Sequence, residues 1–158
     1  ATPGELALAE ALNCPAQMTP HPILAIDYGQ SRIGIAATDE LGIASHPVET
    51  IHVKRTDPLQ RISQIAVARN IVLIVVGLPL RLDGSEGEAT QRVRRFGDAL
   101  KAKLPHLRLE YSDERLTTIS ASEKLREAGK NNEAQRDIID QVAALEILNG
   151  WLEENECG

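Results

Sequence analysis

Residues 23 to 37 read ILAIDYGQSRIGIAA: an apolar run that stops on an acid, turns through glycine and returns as a second apolar run. Two such runs around a short polar link predict an antiparallel hairpin, with Asp27 at the end of its first strand. A carboxylate beside a core resists desolvation unless something uses its charge. Asp27 is therefore either the start of a turn, common chemistry for Asp before Gly, or a metal ligand, and acids elsewhere in the chain decide which.

Downstream of the hairpin, residues 41–45 form a Gly-containing connection, and HPVETIHV (His46 to Val53) reads as a third strand whose proline sits where an edge tolerates it. Asp57-Pro58 has the form of an N-cap followed by proline at the first helical position, and Leu59, Ile62, Ile65 and Ala66 continue at helical spacing to Asn70. Next, IVLIVV (Ile71 to Val76) is continuously apolar and β-branched, as in a central strand buried on both faces, and is expected to end at Gly77-Leu78-Pro79.

A polar segment, LRLDGSEGEAT, leads into a helix expected over residues 86–103 with Ala89, Val93, Phe96, Leu100 and Leu104 inward. Its other face carries Arg92, Arg94, Arg95, Lys101 and Lys103, either a solvated face or a phosphate-binding one. LRLEYSD (Leu107 to Asp113) reads as a fifth strand, followed by a helix capped at Thr117 or Thr118, running through Arg126 and stopped by Gly129. A long helix over residues 134–153 is expected to bury Ile138, Val142, Leu145, Leu148 and Trp151 or Leu152. Strand and helix alternate in the second half, which implies parallel strands joined by right-handed crossovers. The class is α/β with a five-stranded mixed sheet flanked by helices, and such sheets place sites at the carboxyl ends of their strands.

The 158 residues, 42% of them hydrophobic, suffice for one domain, expected over residues 23–155 after a flexible extension over residues 1–22 in which Met18 could be the native start. No apolar run approaches the roughly 20 residues of a membrane span, and acids at Glu5 and Glu10 stand where a signal peptide would be basic. A cytoplasmic protein without membrane association is expected. Cys14 and Cys157 form no Cys-x-x-Cys pair, and the four histidines show no ligand spacing, so neither a disulfide framework nor a zinc site is indicated. A net charge of −6 argues against holding nucleic acid by bulk electrostatics but allows a local basic surface. With so few aromatics, any nucleic-acid contact should fall mainly on the backbone.

Asp27, Glu114 and Asp140 can meet if strands one and five lie close and the last helix crosses them. Three such acids can hold Mg²⁺ or Mn²⁺, hard ions that take oxygen ligands and support phosphodiester displacement. Each has a plainer reading: Glu114 or its neighbour Asp113 as a cap or a partner of Arg115, and Asp140 as a partner of Arg136 at i−4. Asp137, one turn before Asp140, is a secondary candidate.

Three stretches together resemble the YqgF or RuvX family of Holliday junction resolvases and pre-16S rRNA processing nucleases: LAIDYGQSRIGIAATDELGIA, VVGLPLRLDGSEG, and YSDERLTTISASEKLREAG followed by IDQVAALEIL. The resemblance spans about residues 23–152 and implies an RNase H-like fold and a metal-dependent nuclease. It identifies the acid of the family's DYG motif as Asp27, its DER motif as Asp113-Glu114-Arg115, and the acid of its last helix as Asp140. Related resolvases carry an acid after strand four where this chain has GLPL, so Glu114 must serve as the middle acid. The implied catalytic and metal-holding set is Asp27, Glu114 and Asp140, with Arg81, Arg92, Arg95 and Arg115 as nucleic-acid contacts.

The expected substrate is structured RNA, at the pre-16S rRNA 5′ end, with branched DNA or a non-catalytic RNA- or ribosome-binding role as alternatives and a monomer or homodimer as the working unit. Asp27-x-Gly29 with Gly34 also resembles the phosphate turn of actin-like and sugar-kinase ATPases. Those need two such domains, and this chain has one copy of the motif and no adenosine site.

Overall fold

The first strand, β1 (Ile23–Asp27), lies at the centre of the sheet. It pairs antiparallel with β2 (Arg32–Thr38), in a register that sets Asp27 opposite Gly34, and parallel with β4 (Leu73–Leu78). The flanking strands β3 (Ser45–His52) and β5 (Arg108–Asp113) complete the order β3-β2-β1-β4-β5. This is a computed structural model, which describes residues 20–114 and 133–155; the arm before Pro20 and the helix expected over residues 117–126 lie outside the described residues.

Strand alternation sorts the core into two layers. Leu24 and Ile26 of β1, with Ile33 and Ile35 of β2, face helices α1 (Pro58–Ala68) and α2 (Glu88–Lys103). Ile23 and Ala25, with Ala36, Leu73 and Val75, face the long helix α3 (Glu133–Asn155) through Ala144, Ile147, Leu148 and Trp151. Burying each of these isoleucines and leucines contributes about 1.5–3 kcal/mol, so a one-residue slip of β1 would exchange the two layers and is strongly disfavoured. Asp57 caps α1 as expected, its carboxylate accepting from the Leu59 N–H, with Pro58 in the first turn.

The structure corrects two expectations. Strand β4 runs past Val76 through Gly77 and Leu78, which pair with Ser112 and Asp113 of β5. Gly77 is thus a strand residue: a Cβ there would stand 2.5 Å from Ile147 Cδ1, so glycine serves close packing and not a turn. The buried stripe of α3 is also rotated from the one expected. Ile138 is 55% exposed, while Ile139 and Asp140 turn inward. The reason is again a glycine, because a Cβ at Gly34 would lie 1.9 Å from the Asp140 carbonyl oxygen. Backbone meets backbone there, and that contact fixes which side of α3 faces the sheet.

Candidate active site at the carboxyl ends of the strands

The alternation that sorts the core also aims the acids. Asp27 follows Ile23 and Ala25 at a spacing of two, so it belongs to the α3 side of the sheet. On β5, Leu109 and Tyr111 pack toward α1 and α2, so Ser112 and then Glu114 fall on the α3 side while Asp113 faces away. Glu114 accordingly reaches in beside Gly77, its Oε1 only 2.7 Å from where a Cβ would stand. From the opposite direction α3 delivers Asp140, which is 8% exposed.

All three acids line one open cavity of about 700 Å³, whose wall also includes Tyr28, Arg32, Arg92 and Arg136. Tyr28 stacks on Phe96 with ring centroids 4.6 Å apart. This contact ties the end of β1 to α2, whose Arg92, one turn before Phe96, lines the same cavity as the acids. Asp140 is not alone: Arg32 Nε donates to its Oδ2 at 2.7 Å. Arg32 is two residues before Gly34 on the same strand face. Asp140 therefore finds its partner on the strand beneath it, not at the helical i−4 position of Arg136. Among the described residues, no three His, Cys, Asp or Glu side chains stand close enough to form a metal site by themselves.

Asp137 lies outside the cavity wall. It turns toward β3, where its Oδ2 is 3.0 Å from His52 Nε2 and its carbonyl accepts from the Thr50 hydroxyl. Asp137 therefore anchors the helix. The basic face of α2 divides in the same way. Arg92 reaches the cavity, with Glu88 3.6 Å away at i,i+4, whereas Arg94 is held by both oxygens of Glu86 at 2.7 and 2.9 Å. That bond lowers the Glu86 carboxyl below its usual range and raises the guanidinium. Lys101 donates to the Leu107 carbonyl. Arg95 is exposed and Arg81 lies against Gly87 at the start of α2, and neither lines the cavity. Arg115 lies outside the described residues.

A family model described as "RuvX: Holliday junction resolvase" matches residues 21–154. This chain belongs to the RuvX family. Two relatives, from Nocardia farcinica and Cutibacterium acnes, are each named "Putative pre-16S rRNA nuclease". The first is 41% identical, covering 83% of this chain and 77% of its own, and the second 42%, covering 85% and 84%. Among solved structures, "T. thermophilus RuvC in complex with Holliday junction substrate" superposes with a TM-score of 0.53 at 13% identity, over 84% of this chain and 95% of that one. The RuvX chain thus has the RNase H-like fold expected of it. Reading the sequence for the RuvX acids left out Arg32 and considered Arg136 only as a partner of Asp140. No local signal marks Arg32, because its parity with Gly34 on β2 gains meaning only once α3 is seen to rest on Gly34.

No helix among the described residues is long and apolar enough to cross a membrane.

Proposed function

We propose that this RuvX chain is a divalent-metal-dependent nuclease that hydrolyses phosphodiester bonds in structured RNA, at the 5′ end of pre-16S rRNA. One observation supports the reading most: three acids from three separate elements, Asp27, Glu114 and Asp140, line a single open cavity. A set of oxygen donors without cysteine or histidine suits a hard ion that keeps several of its waters. Asp27, Glu114 and Asp140, which do not stand close enough to form a site by themselves, would hold Mg²⁺ or Mn²⁺ together with water and phosphate oxygens, and the ion when bound would activate water and offset charge on the phosphoryl oxygens. Arg92 neutralises phosphate at the cavity wall, and Arg32 compensates Asp140 when no ion does. The RNA substrate follows the name of the relatives, and branched DNA, which the family description favours, is the second reading. Incubating the protein in Mn²⁺ with precursor rRNA, single-stranded RNA and a four-way DNA junction separates them. Cleavage of the junction alone would select the DNA reading, and cleavage of none would leave a binding factor.

Arg92→Gln is expected to lower by about 0.7–0.9 the slope of log affinity against log salt, the change for one lost phosphate contact. Titrations in EDTA between low and physiological salt measure it, and an unchanged slope would make Arg92 a solvated surface residue.

Arg32→Gln leaves a nearly buried carboxylate short of its charged donor, at a cost of about 1–3 kcal/mol. In EDTA the variant should therefore melt several degrees lower. The rise on adding Mn²⁺ should exceed that of wild type, because the guanidinium no longer competes for Asp140 and a ligand stabilises only the state that binds it. Equal melting temperatures in EDTA would show that the pair contributes nothing.

A further inference from the structure

Beside the acid-lined cavity, and sharing Ser31, Arg32 and Arg136 with it, lies a second hollow of about 290 Å³ at the turn after β3. Its wall brings together four cations, Arg32, Lys54, Arg55 and Arg136, with one carboxylate, Glu133, and with His52. Two of the cations are committed, Arg32 to Asp140 at 2.7 Å and Arg55 to Glu133 at 2.8 Å. His52 is held between Asp137 at 3.0 Å and Glu133 at 3.8 Å, so polar contacts from α3 fix the hollow's frame. Among the described residues, Lys54 and Arg136 have no ion-pair partner, and Arg136 Nε is buried with no hydrogen bond.

A buried guanidinium N–H without an acceptor is costly to keep. Here it belongs to a side chain that borders both hollows. An anion entering the smaller hollow would supply the missing acceptor, and the surplus of cations would attract it. The hollow is open and stands beside the acids, which suits an oxyanion on a chain already lying across them.

We propose that this hollow is a phosphate subsite: it takes a backbone phosphate of the same nucleic-acid strand whose scissile phosphate lies at the acids, with Lys54 and Arg136 as its principal contacts. The inference rests on the nuclease reading and extends it. The strand runs from Arg92 on α2, across Asp27 and Glu114, to the turn after β3. Nucleic acid is therefore gripped on both sides of the acids.

The test is binding in EDTA of labelled single-stranded RNA oligonucleotides from 4 to 16 nucleotides, by anisotropy across a salt series, for wild type, Lys54→Gln with Arg136→Gln, and Lys103→Gln as a control at the far end of α2. Wild type should gain affinity stepwise once the strand is long enough to reach the hollow. The double variant should lose that step, and its salt slope should fall by about 1.4, the value for two single-strand phosphate contacts. Lys103→Gln should match wild type. A double variant with the wild-type step and slope would overturn the subsite, as would a wild type that binds none of the oligonucleotides. Cleavage of precursor rRNA in Mn²⁺ is scored separately with the same three proteins. Binding lost in the double variant while wild type cuts nothing would support the subsite and overturn the nuclease reading, and the reverse pattern would do the opposite.

Discussion

Asp27→Asn leaves the protein folded and slows phosphodiester cleavage by at least about a hundredfold, the loss typical when one preorganised electrostatic stabiliser is removed. The amide keeps the shape of the carboxylate at the end of β1, so the register with Gly34 and the parallel pairing with β4 survive. What disappears is the charge that, on the proposed reading, would let a cavity on the α3 side of the sheet hold a cation. Melting curves establish that the variant is folded, and single-turnover cleavage of precursor rRNA gives the rate. A rate within a fewfold of wild type would end the assignment of Asp27 to the chemistry.

Gly34→Ala carries the largest expected structural effect. The new Cβ would stand 1.9 Å from the Asp140 carbonyl oxygen and 2.4 Å from its carbon. A flexible side chain could turn away, but a helix backbone cannot yield at one residue, so α3 has to lift or slide. Overpacking of this kind costs about 3 kcal/mol, the upper part of its usual range. In a chain of this size that is a fall of roughly 6–12 °C in melting temperature. Cleavage should fall as well, since displacing α3 carries Asp140 away from the cavity. Wild-type melting would show that α3 does not rest on β2 at this point.

The legible parts of this molecule were those written locally. The hairpin follows from two apolar runs around Asp27 to Ser31, α1 from Asp57-Pro58, and Asp27 and Glu114 from their positions at strand ends, whereas Asp140 comes from the family resemblance. The end of β4 is not legible locally because glycine before leucine and proline has the composition of a turn, whereas Gly77 is small to make room for Ile147 and Glu114. The inward face of α3 was misread because a polar residue, Asp140, occupies a core position and an isoleucine, Ile138, does not. Neither the strand order nor the pairing of Arg32 with Asp140, 108 residues apart, has a local signature. The choice of Glu114 over Asp113 was open to the sequence in one respect: counting by twos from Leu109 and Tyr111 would have placed Glu114 on the face opposite these two apolar residues.

Helix α3 follows all five strands in the chain, yet it supplies Asp140, and its backbone rests directly on Gly34. During synthesis the ribosome delivers the sheet first, with two of the acids already in place at its edge. The third arrives only when the last helix docks. A chain still emerging from the ribosome, beside the RNA that its relatives are named for, would hold no complete set of acids. On the proposed nuclease reading, order of translation would thereby keep the unfinished protein inert, and a product shortened before Asp140 would not cut RNA.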